Sequence, residues 1–143
     1  MLFGANKKKL INFKYIGFDM GDTLCTSGTV KLLAGAYASS TITSSGTYLT
    51  TFINEAEGDF IADTRVNWIA LWPKISGTAY VKAIENAVAS KAAIKVINYD
   101  MSGYDSLAQA TTMMNVLWAD YDRAVRTLSE DKVVTFFGGT KGQ

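Results

Sequence analysis

The chain has 143 residues, 48% of them apolar, and carries 14 Lys and Arg against 13 Asp and Glu. That size and apolar content suit one packed domain and exclude a disordered chain, while a formal charge of +1 gives nucleic acid no broad electrostatic footprint. There is no His, which removes the commonest neutral-pH base and the commonest transition-metal ligand.

Cys25 is the single cysteine, so no intrachain disulfide forms. The start, MLFGANKKKL, lacks a cleavable apolar core after its basic residues, and a signal peptide is not expected. The cluster Lys7-Lys8-Lys9 reads as a solvated tail. The densest apolar run, from Ala79 to Tyr99, is broken by Lys82, Glu85, Lys91 and Lys95, which argues against a membrane-spanning helix.

In chain order, the aromatic and β-branched stretch NFKYIGFDM (12 to 20) predicts a short strand ended by turn residues Gly21 and Asp22. A short helix is expected over Thr29 to Ala38, followed by a polar connection, SSTITSSGT. A second begins near Thr47, where Leu49, Phe52, Ile53, Ala56, Phe60 and Ile61 recur at helical spacing. Residues 64 to 76 read as a turn-rich segment anchored by Trp68 and Trp72, with Pro73 marking a break.

From Gly77 or Thr78 to Asn98 the pattern is a helix apolar on more than one side, including Tyr80, Ile84 and Val88. Such a helix needs partners on at least two faces, which points to a bundle centre or a subunit interface. Ser102 and Asp105 have capping-box spacing and set a last helix starting near Gly103. Its stripe is Leu107, Ala110, Met114, Leu117, Tyr121, Ala124 or Val125, and Leu128. The stretch VVTFF then reads as a strand-like arm before a Gly-rich tail, GGTKGQ. The expected fold is mainly α: a small helical bundle (25 to 128) between short strand-like arms, an N-terminal extension (1 to 24) and a C-terminal arm and tail (129 to 143).

Candidate chemistry is sparse. Glu55, Asp59 and Asp63 share a helical face at four-residue spacing, a pattern open to a divalent ion or to a solvated acidic face. The tail glycines lack the spacing of a phosphate loop, and Cys25 has no base partner. The stretch FDMGDTL resembles the nucleophile loop of the haloacid dehalogenase superfamily, with Asp19 in the nucleophile position. The second Asp of that motif is replaced by Gly21, and no alternation of strands and helices follows to carry the remaining groups. The match is therefore read as coincidental, and no catalytic residue, metal ligand or cofactor is expected.

A wider resemblance covers roughly residues 25 to 137. The segments FINEAEGDFIADTRVNW (52 to 68), INYDMSGY (97 to 104), LAQATTMMNVLWADYDRAVRTL (107 to 128) and KVVTFF (132 to 137) resemble head–tail connector, or adaptor, proteins of tailed bacteriophages. The resemblance implies a structural virion protein at the phage neck. It implies a dodecameric ring that contacts the portal on one side and a tail terminator, stopper or other neck protein on the other. The DNA channel would run through its centre, and no membrane is involved. Subunit or portal contacts are then expected at Tyr15, Phe18, Trp68, Trp72, Tyr80, Ile84, Val88, Val133, Val134, Phe136 and Phe137. The competing expectations are a small cytosolic homodimer joined through the last helix, and a divalent-ion-dependent phosphohydrolase using Asp19.

Overall fold

The computed structural model describes residues 24 to 142. The expected strand over residues 12 to 20, and with it Tyr15, Phe18 and Asp19, lies outside the described residues. Among the described residues seven helices follow one another: α1 (Ser27–Ala34), α2 (Ser40–Thr43), α3 (Gly46–Thr64), α4 (Trp68–Ile75), α5 (Tyr80–Tyr99), α6 (Leu107–Leu128) and α7 (Asp131–Phe136). Among the described residues there is no strand.

Local chemistry accounts for most of the helix starts. Thr26, Ser45, Asn67 and Ser106 each accept a hydrogen bond from a backbone N–H three residues on, at the first turns of α1, α3, α4 and α6. The start of α6 corrects the expected one. Its cap is Ser106, not Ser102, and Gln109 supplies the reciprocal arm by accepting from the Asp105 N–H at 2.7 Å. Ser102 instead donates to Asp100 through both its N–H and its hydroxyl, which forms a separate turn. That pairing holds the Asp100 carboxyl below its ordinary pKa, chiefly through the Ser102 hydroxyl.

Three further expectations change. The polar connection after the first helix contains the one-turn helix α2, which buries Ile42. The segment expected to be turn-rich is largely α4, with Pro73 inside it; the helix runs two residues past the proline, and the Ser76 N–H reaches the Trp72 carbonyl. The residues read as a C-terminal strand form α7. A short apolar run cannot be assigned to strand or helix by composition alone, and here Val134 and Phe137, three apart, turn to the same buried side.

Helix α5 is the centre of the bundle. It packs against α6, α3 and α1. Ala87, Ala89, Ala92 and Ala93 are all buried, and their short side chains let neighbours approach from several directions. The apolar surplus read from the sequence is therefore satisfied within one chain, which removes that surplus as a reason to invoke a neighbouring subunit. Around α5, Ile53 and Phe60 of α3, Val30 and Ala34 of α1, and Leu117, Tyr121 and Leu128 of α6 complete the core. Burying each large aliphatic among them stabilises the fold by about 1.5–3 kcal/mol.

Two long-range ties close the bundle. The Tyr104 hydroxyl donates to the Ala34 carbonyl at 2.8 Å, fixing the α5–α6 loop to the end of α1. The Leu24 N–H donates to the buried Glu57 carboxylate at 2.7 Å, fixing the approach to α1 against α3. The tail also has a defined course: the Gly142 N–H donates to the Arg65 carbonyl at 2.7 Å, and Lys141 pairs with Asp131 at 3.1 Å. Gly139 lies so close to Leu71 that an added Cβ would fall 2.7 Å from its Cδ1.

Candidate docking surface

The contact residues expected from the sequence divide by burial. Trp68, Ile84, Val88, Val134 and Phe137 are buried within the chain and serve its own core. Trp68 stacks on Phe60 and donates its indole N–H to Thr64 at 2.8 Å, an arrangement that leaves nothing for a neighbour. Trp72 and Val133 are half-buried against the core. Tyr80 and Phe136 remain exposed; Tyr80 meets the Phe137 ring edge-on, with centroids 5.0 Å apart.

The acidic face of α3 is neutralised from within. Lys95 pairs with Glu55 at 3.5 Å and with Asp59 at 3.1 Å, Lys91 lies 3.8 Å from Asp59, and Tyr121 donates to Asp63 at 2.7 Å. Carboxylates held by lysines and a phenol are poor ligands for a divalent ion. Among the described residues no group of three or more His, Cys, Asp or Glu is placed to hold a metal. Burial first, and then the Asp63 hydrogen bond, pushes the Tyr121 hydroxyl well above its ordinary pKa.

What the surface does present is a groove of about 500 Å3 along α5 and α6, at the end of the hairpin remote from its loop. Helix α5 contributes Tyr80, Ala83, Asn86, Ala87 and Ser90. Helix α6 contributes Asp120, Arg123, Ala124, Thr127 and Leu128, and Leu33 of α1 closes one side. The groove exists because small side chains face each other there. Ala83, Ala87 and Ala124 are too short to fill the space that Leu or Phe would occupy. The polar members are Asn86, Thr127, the buried Ser90, and an Asp120–Arg123 ion pair at 2.9 Å.

The opposite flank of α6 bears a projection. Trp118 and Thr127 are nine residues apart, about two and a half turns, so they face opposite sides of the helix. Trp118 is 41% exposed and Leu107, on the same flank, is 69% exposed. The Trp118 ring is nonetheless held: it meets Tyr121 edge-on, and the Lys91 ammonium lies 4.3 Å from its centroid.

Sequence reading missed the groove and the projection. Leu107, expected in the core stripe of α6, lies at the helix start and faces outward. Trp118, a large apolar residue off that stripe, was the one signal available. Ser90, a lone hydroxyl inside an apolar helix, gave no sign of which neighbours it would face.

Among the described residues no helix is long and apolar enough to cross a membrane. No family model, no curated protein and no solved structure matches the chain.

Proposed function

We propose that this chain is a structural adaptor that joins its own copies head to tail into a ring, in the manner its resemblance to the head–tail connector proteins implies. One observation carries the reading: α6 bears two unlike surfaces on opposite flanks, a groove on one and the Trp118–Leu107 projection on the other. An interface that pairs unlike surfaces leaves one of each free at every addition, so it continues until rotation closes a ring. A surface that pairs with itself stops at two copies.

The resemblance supplies the rest of the proposal. The ring is dodecameric, sits at the phage neck in the virion, contacts the portal and a further neck or tail protein, and surrounds the DNA channel without reading its sequence. Its role is mechanical rather than catalytic. Phe136 and Tyr80, exposed beside the groove, are positioned to add to contacts between copies or with the portal.

Light scattering on the full chain over rising concentration tests this. The expected result is growth beyond two copies toward a single closed species. A species that stops at a dimer would replace the ring with the two-copy arrangement through the last helix.

A further inference from the structure

We infer that the groove along α5 and α6 is the receptor for Trp118 of a second copy, whose indole N–H donates to the hydroxyl of Ser90. This rests on the head-to-tail reading and names its central contact.

The observation that points to an occupant is Ser90. It is 3% exposed, lines the groove, and its Oγ has no hydrogen-bond partner among the described residues. A serine inside a helix ordinarily satisfies its hydroxyl by bonding back to a carbonyl one turn earlier; Thr64, for example, does so with Phe60. A buried hydroxyl with no partner is costly, and a group arriving from outside relieves that cost.

Trp118 matches on three counts. It is large and mostly apolar, as the alanine-walled space requires, and the 41% of its surface still exposed is what docking would cover. Its indole N–H is a donor only, and it has no partner among the described residues. Its ring is already fixed by Lys91 and Tyr121, so seating it costs little side-chain entropy.

Placement also fixes the geometry of assembly. Because Trp118 and the groove lie on opposite sides of α6, one copy cannot fill its own groove, and each copy gives Trp118 to one neighbour while receiving it from another. Two copies that exchange a single contact still have a projection and a groove to offer.

Sedimentation equilibrium on the full chain and five variants, four single and one double, tests the contact, with circular dichroism verifying the fold of each. Trp118→Ala removes the projection, and Ala83→Trp plugs the groove from an exposed position. Each is expected to weaken association roughly thirtyfold or more, as loss of a central aromatic anchor does. An equimolar mixture of these two variants should form a heterodimer that grows no further, because one keeps its groove and the other its tryptophan. Trp118→Phe and Ser90→Ala should each weaken association about two- to tenfold, and the two together no more than either alone, since they remove the same hydrogen bond. If the unsubstituted chain grows beyond two copies and these variants do so equally well, the contact is overturned while head-to-tail assembly stands; if it stops at two copies, head-to-tail assembly falls and the contact with it. If the unsubstituted chain stays monomeric at every concentration, both are overturned.

Discussion

The Tyr121 hydroxyl donates to the Asp63 carboxylate at 2.7 Å, joining the middle of α6 to the end of α3 on the face opposite the groove. The same ring packs edge-on against Phe60 and lies under the Lys91 ammonium, so one tyrosine ties the core to the charged surface of α3 and α5. Tyr121→Phe keeps the packing and removes the bond. It should cost about 1 kcal/mol in denaturant unfolding at neutral pH.

The same tyrosine predicts an alkaline response. Its folded pKa is raised, by burial first and by Asp63 second, above the value of about 10 expected when unfolded. A raised pKa favours the folded state below the unfolded value and loses that contribution as pH climbs past it. Stability should therefore fall above about pH 10. The fall should be shallower in Tyr121→Phe. Equal pH slopes for the two proteins would dissociate the effect from Tyr121.

Gly103 marks a close approach. A Cβ there would collide with the backbone carbonyl of Tyr37, which has no flexible end to move aside. Gly103→Ala should cost roughly 1–3 kcal/mol through displacement of the α5–α6 loop from the end of α1. Tyr104→Phe, which removes the neighbouring bond to Ala34, should cost less, about 1 kcal/mol, measured in the same way.

Arg65 ends α3 in the left-handed conformation, with φ at 60°. A side chain there costs about 1–2 kcal/mol that glycine does not incur, partly offset by the greater freedom of glycine when unfolded. Arg65→Gly should raise stability by about 0.5–1 kcal/mol. The Gly142 N–H bond to the carbonyl of residue 65 is retained, because only the side chain changes.

The helices were legible in the sequence because their apolar spacing and capping residues agree; α3, α5 and α6 lie within a few residues of where periodicity sets them. The Ser106 cap was hidden by Ser102, an equally good capping residue four positions earlier whose hydroxyl Asp100 claims. Helix α7 was hidden because VVTFF favours strand by residue type, and only its packing, with Val134 and Phe137 on one side, decides for helix.

The docking surface was harder still to read. The aromatic and aliphatic residues expected at contacts, such as Trp68, Ile84 and Val88, are the ones the chain needs for its own core. A groove is a shortage of volume between two helices, and that becomes visible only when α5 and α6 are paired and Ala83, Ala87 and Ala124 are found together. The wheel of α6 did hold one clue. Trp118 lies off the core stripe, and a large aromatic on the outer flank of an amphipathic helix is a reason to look for what it meets.

The most direct test of head-to-tail assembly is the symmetry of the assembled particle, imaged by electron microscopy. The expected particle is a closed ring with cyclic symmetry of about twelve and with Trp118 of each copy against the α5–α6 groove of the next. A two-fold particle in which the Trp118 flanks of two copies meet each other would contradict it.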